Sequence, residues 1–338
     1  MKSLKKKLWA LLLCAAVLTT TAACGGKEAD VQGTPTAQVT PAQEATPTPE
    51  AKPTAEATPV PQDGPYSVTL PDGTVLELAG IPQRILSMGP NITDTLFELG
   101  AGERVVGRTD YCDRPAQVAD IPSVGTIFNP DVEAILALEP DLVIGSAHFS
   151  EETEKQLTDL GIKVAVLYDS ENMEGVYDII RALGELVGLK EAGDALAERT
   201  QKAMEDTVAK YAGAQYEDFE APSVYYVVGY GEYGDYTAGG ATFIGQLLTA
   251  AGGKNVAQDV QGWVIDHESL MEADPQIIVI GEGMAADFCA APGYGELSAV
   301  KNNMVIELDT YHLLDRQGYM NAEIFVQLAE LFHTATVQ

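Results

Sequence analysis

Aromatic side chains with polar tips gather in a few short loops of this sequence. Tyr111 and Phe128 lie in its first half, and Tyr230, Tyr233, Tyr236 and Trp263 in its second. Large apolar faces with a polar edge suit the capture of a flat or bulky organic ligand. Arg108, Arg114 and Arg316 are the cations that an anionic ligand would need in such a site. The same loops also carry Asp110, Asp113, Glu232, Asp235 and Asp287, which favours a neutral or cationic ligand. The candidate ligand-binding set is Met88, Tyr111, Phe128, Tyr230, Tyr233, Tyr236, Trp263 and Arg316. His148, His267, His312 and His333 are too scattered for a bare zinc site, so no metal site is assigned. No HExxH, nucleophile elbow, CxxC or suitably placed GxGxxG is present. Cys112 and Cys289 fall in loops of opposite halves, and either an interlobe disulfide or two free thiols fits them. These residue types describe binding rather than catalysis.

The elements that must position them are used twice. VEAILALEPDLVIG, residues 132 to 145, returns as HESLMEADPQIIVIG, residues 267 to 281. Each copy reads as helix, proline stop and buried strand. Each begins with a glutamate in a first helical turn, Glu133 or Glu268. Asn129 is the expected cap of the first copy, with Pro130 at the first helical position. A second pair, Asn91 to Val106 and Thr242 to Ala257, repeats a short amphipathic helix ended by glycine. The spacing is too long for a solenoid and implies two similar lobes. The fold class is α/β: two Rossmann-like lobes with central parallel sheets, at 65–189 and 213–338. One long rigid helix, 190–212, joins them, with the ligand cleft between. Ligands bind beyond the carboxyl ends of strands in such sheets, which selects the loops 88–91, 109–114, 127–128, 230–236, 282–289 and 309–320.

The chain of 338 residues has a net charge of −30 and repels polyanions, so nucleic acid is excluded as a partner. Residues 1–23 have secretory form, with Lys2, Lys5, Lys6 and Lys7 before an apolar stretch too short to span a bilayer. The TAAC ending at Cys24 is similar to the lipobox of bacterial lipoproteins, with Thr21 where leucine is usual; an ordinary cleaved signal is the alternative. Acyl chains on Cys24 would anchor the protein to a membrane. Residues 24–64, rich in Thr, Pro and Ala, read as an extended tether.

The lipobox, the tether, Pro82-Gln83-Arg84-Ile85, EAILALEPDLVIG, YTAGGATFIGQLLTAAGGKNVA and the bridging helix together resemble one family. It is the iron-complex and vitamin B12 type of substrate-binding protein of ABC importers. The resemblance runs from about residue 66 to the end. It implies a monomeric receptor without a cofactor of its own, lipid-anchored on the extracytoplasmic face of a bacterial cell membrane. Such a receptor captures a metal chelate and delivers it to the permease and ATPase complex. A corrinoid is favoured, with haem or a ferric siderophore next; Met88, Tyr111, Tyr230 and His312 are possible axial donors to a tetrapyrrole. The resemblance further implies that Glu133 and Glu268 dock to permease arginines. Tyr111 falls where cobalamin binders of the family carry a pocket tyrosine, but their tryptophan before the first motif is Ile127 or Phe128 here. Arg316 lies in DRQGYMN, where relatives tend to have an Arg-Pro-Gly-Pro-Arg-like run, and Met320 replaces the second arginine. The competing readings are a surface adhesion or sensory module and an enzyme on the same two-lobed fold.

Overall fold

A computed structural model describes residues 64–146, 148–168, 172–212 and 218–335. The leader, Cys24 and the tether up to residue 63 lie outside the described residues. The described chain opens with an antiparallel hairpin, β1 (Tyr66–Thr69) and β2 (Val75–Leu78), turned at Gly73 with φ 87°. The first lobe then runs through β3 (Ile85–Met88), α1 (Pro90–Glu98), β4 (Val105–Arg108), α2 (Val132–Ala137), β5 (Leu142–Ser146), α3 (Glu151–Asp159), β6 (Lys163–Leu167) and α4 (Met173–Leu186). α5 (Lys190–Tyr211) follows. The second lobe contains β7 (Ser223–Tyr226), β8 (Asp235–Tyr236), α6 (Phe243–Ala250), β9 (Lys254–Asn255), β10 (Val264–Ile265), α7 (His267–Ala273) and β11 (Ile277–Gly281). It closes with α8 (Ala285–Ala290), α9 (Ser298–Lys301), β12 (Val305–Leu308), α10 (Thr310–Leu313) and α11 (Asn321–Thr334).

The two sheets share one topology. The first has the order β4-β3-β5-β6 and the second β9-β7-β11-β12, parallel throughout. The first and third sheet strands of each lobe lie at the centre, flanked by the second and the fourth. The fold class expected from the repeated motif is the one observed. β8 and β10 stand apart as a small antiparallel ribbon.

Continuous apolar runs form these strands because both faces of each sheet are covered. Leu142 and Ile144 point into one core while Val143 points into another. In the second lobe Ile277 and Val279 face the first core, and Ile278 and Ile280 a third. The first core is shared by both lobes: it runs from Ile85 in β3 through Leu196 and Met204 in α5 to Phe332 in α11. α5 is 22 residues long and buries Gly193, Leu196, Ala197, Thr200, Met204, Thr207 and Tyr211, a stripe at helical spacing. That stripe packs on α4 of the first lobe and α11 of the second. At the α4 crossing a Cβ on Gly193 would lie 2.9 Å from the Cα of Gly184, so both positions need glycine.

The repeated motif folds twice in the same way. Asp131 caps α2 by accepting from the Ala134 amide at 3.0 Å, and Asp266 caps α7 by accepting from Ser269 at 2.8 Å. The cap is therefore Asp131, two residues beyond Asn129: the carboxylate reaches the third amide of the helix, whereas Asn129 lies before Pro130 in an irregular loop. Each helix ends just before proline on a left-handed residue, Glu139 with φ 46° or Asp274 with φ 37°. Neighbours hold both stops. The Arg84 guanidinium donates to the Leu138 and Glu139 carbonyls, and Asp274 accepts from the Ser298 amide and hydroxyl.

Candidate functional site

The carboxyl ends of the parallel strands meet around a cleft. Its main cavity is about 950 Å³ and opens into a smaller one of about 270 Å³. His148, Tyr311, Asp315 and Gln317 line both. The volume lies at the upper end of the range of about 300–1,000 Å³ for small-molecule sites.

The first lobe contributes a wall without formal charge: Asn91, Tyr111, Ile127, Phe128, Ser146 and His148. The Phe128 and His148 rings stack with centroids 5.8 Å apart. Phe128 is 63% exposed and Tyr111 42%, so both present ring area to the cleft. The second lobe contributes Trp263, Met284, Tyr311 and the start of α6, together with Glu282, Asp309 and Asp315. Every carboxylate among the lining residues stands on this second wall.

The segment after β12 carries much of that wall and is held from behind. Asn321, fully buried at the start of α11, donates through Nδ2 to the carbonyls of Leu313 at 2.7 Å and Arg316 at 3.2 Å. It also accepts from the Gly318 amide at 2.7 Å. Asp309 caps α10 and binds His312 Nδ1 at 2.7 Å. Asp315 accepts from the hydroxyl of buried Tyr226 at 2.6 Å. Burial drives that phenol well above its ordinary pKa and raises Asp315 too, although the Tyr226 hydrogen bond partly opposes the rise.

Arg316 faces the first lobe. Its guanidinium donates to Asp94 at 3.2 Å, Asp113 at 2.7 Å and the Tyr111 carbonyl at 3.3 Å, while Tyr311 stacks 4.6 Å from its centre. His312 Nε2 also meets Asp113, at 3.2 Å, and Asn91 Nδ2 donates to the Gln317 carbonyl at 3.1 Å. These contacts tie the lobes together across the floor of the cleft. Arg316 borders the smaller cavity but is 6% exposed, with two carboxylates already bound. It is placed to join the lobes, and an anion would have to displace those partners.

Other expected residues also sit elsewhere. Met88 is fully buried with Leu86, Val143 and Phe149 beneath the first sheet, so it is a core side chain and not part of the cleft wall. Both faces of β3 are covered and all four of its residues are buried, so a side chain within the strand enters a core in either phase. Tyr230 packs edge-on against Phe288 and Tyr294, 5.1 and 5.8 Å away. Tyr236 pairs with Val264 in the β8–β10 ribbon, and Tyr233 is 85% exposed. None of these three lines either cavity. The ribbon explains this: it uses the tyrosine loop to support Trp263, whose carbonyl accepts from Thr237 at 2.8 Å. Tyr111, Phe128 and Trp263 do reach the cleft. His148 and the residues 241–244 line it without having been expected there. Their position at the end of β5 and at the start of α6 was the available signal.

Cys112 and Cys289 are free thiols; Cys112 is buried and accepts from Thr93 at 3.0 Å. No cluster of metal-ligating side chains occurs among the described residues, and no described helix is long and apolar enough to cross a membrane. Glu133 and Glu268 are both exposed at the second position of their helices, and no described residue pairs with either.

Two α/β lobes fixed on one helix, with an aromatic cleft between strand ends, define a receptor for a small ligand. The chain belongs to the periplasmic binding protein family, whose model matches residues 85–312. It is 32% identical over 260 residues to the uncharacterized ABC transporter substrate-binding lipoprotein YvrC of Bacillus subtilis, covering 75% of this chain and 81% of that one. It is 30% identical over 288 residues to a cobalamin-binding protein of Halobacterium salinarum, covering 80% and 76%. Among solved structures it is similar to the periplasmic heme-binding protein RhuT from Roseiflexus sp. RS-1 in apo form. That likeness has a TM-score of 0.68 at 25% identity and covers 74% of this chain and 98% of that one. The vitamin B12 binding protein BtuF of Vibrio cholerae shares the fold, with a TM-score of 0.63 at 22% identity over 75% and 99%. The chain is a binding protein and not an enzyme.

Proposed function

We propose that the protein is the substrate-binding component of an ABC importer and captures a corrinoid. The observation that carries the ligand is the charge of the cleft. Glu282, Asp309 and Asp315 line it, while Arg316 is committed to Asp94 and Asp113. A haem or an anionic ferric siderophore brings negative charge that a cleft cation normally meets. A corrinoid ring fringed by amides brings donors for those carboxylates, and its faces fit between Phe128, Tyr111 and Trp263. The name of the Halobacterium relative supports the corrinoid, and that of the Bacillus relative supports the role in an ABC importer.

Glu133 and Glu268 serve delivery rather than capture. They occupy matched places on related lobes, outside the cavities, and are unpaired among the described residues, as directional docking to arginines requires. Lipidation at Cys24 would hold the receptor at the extracytoplasmic face of the membrane, as a monomer beside its permease. Titration of the purified protein with cyanocobalamin, haemin and a ferric siderophore tests the ligand. Saturable quenching of Trp263 fluorescence by the corrinoid is expected, tighter than by the others. Tighter binding of haemin or the siderophore would overturn the corrinoid assignment.

A further inference from the structure

We propose that Asp315 is the specificity-determining residue of the cleft: it accepts hydrogen bonds from donor-bearing ligand edges and excludes ligands that present carboxylates there. The inference rests on the cleft being the ligand site and names what that site selects. Asp315 lines both cavities and is exposed to them. Its Oδ1 is fixed by Tyr226, whose ring sits in the shared core and is 1% exposed. Among the described residues none donates a hydrogen bond to its Oδ2, which leaves one acceptor for a ligand.

The surroundings decide the sign of that preference. Asp309 and Glu282 stand on the same wall, and His312 is held between Asp309 and Asp113. Arg316, the next residue, turns its guanidinium to the first lobe. The opposite wall offers Asn91, Ser146, Phe128, Tyr111 and His148, with no formal cation that pairs a ligand carboxylate against Asp315. Asn321 and Tyr226 hold the segment on both sides, so Asp315 cannot swing away cheaply. An amide N–H at this point gains a charge-assisted hydrogen bond, and a ligand carboxylate meets a like charge that Tyr226 holds in place.

Two pairs of probes test this on the full chain, each keeping its ring and changing only the edge. Cyanocobalamin is compared with its hydrolysis product bearing free corrin carboxylates, and haemin with its dimethyl ester. Affinities are read by fluorescence quenching and calorimetry for the wild type, Asp315→Asn and Asp315→Glu, with circular dichroism to verify folding. The wild type is expected to favour the uncharged edge by about tenfold or more. Asp315→Asn should narrow that ratio about tenfold, mainly by gaining affinity for the carboxylate form, and Asp315→Glu should retain the exclusion. An unchanged ratio in Asp315→Asn overturns the role of Asp315 while leaving the corrinoid reading intact. If only the porphyrin pair binds, and its ratio shifts in Asp315→Asn, Asp315 is supported and the corrinoid reading falls. Wild-type preference for the carboxylate forms, or binding of neither pair, overturns both.

Discussion

Asp94 sits at the lobe contact with its carboxyl raised from 3.8 to about 6, because burial costs the charged form more than Arg316 returns. Asp113 behaves oppositely: burial would raise it, but hydrogen bonds from Arg316 and His312 outweigh that and hold it low. A raised carboxyl means the folded state binds the proton more tightly than the unfolded chain. The Asp94 contribution to stability therefore grows as pH falls from about 6 towards 4, while that of Asp113 is lost at acid pH. Asp94→Asn removes the first effect only. The melting temperature of the wild type, relative to the variant, should rise as pH falls through about 6; a constant difference would refute the assignment. Arg316 had looked in sequence like a cation for a ligand. Nothing in DRQGYMN shows that Asp94 and Asp113, far away in the chain, consume it.

Helix ends are the element at which duplication became visible. The apolar periods, Pro140 and Pro275 were enough to place α2, β5, α7 and β11. The cap was misplaced because Pro130 mimics a first helical residue while Asp131, one step on, makes the hydrogen bond. Asp131→Ala or Asp266→Ala should cost about 1 kcal/mol, measured by denaturant unfolding. α7 has further support, since buried Asp235 accepts from the Tyr294 hydroxyl at 2.6 Å and contacts His267 Nδ1 at 2.9 Å. Each cap is followed two residues on by an exposed glutamate in the first turn, Glu133 or Glu268. Reversing Glu133 and Glu268 to lysine should abolish ligand uptake by cells and leave binding in solution unchanged; uptake at the wild-type rate would refute docking through them. The cleft loops were legible from the rule that ligands bind at strand ends. Which side chains face the cleft was not, because that depends on β3 holding Met88 within a sheet covered on both faces and on the β8–β10 pairing.

At the scale of the molecule, one core passes through both lobes and the bridging helix. Gly193→Leu should force α4 and α5 apart, since even its Cβ would lie 2.9 Å from the Cα of Gly184, and destabilise the whole protein by about 1–3 kcal/mol or more. Calorimetry should show a single transition for wild type and variant alike; two separate transitions would show that the lobes melt independently. The shared core also bears on how the chain is made. The first lobe leaves the ribosome early, but the stripe of α5 that covers it is completed by α11, the last helix of the described chain. Until α11 arrives, the nascent first lobe carries an open apolar flank. Its folding therefore waits on the synthesis of α11, and a chain that has not reached it is a natural client for a holdase.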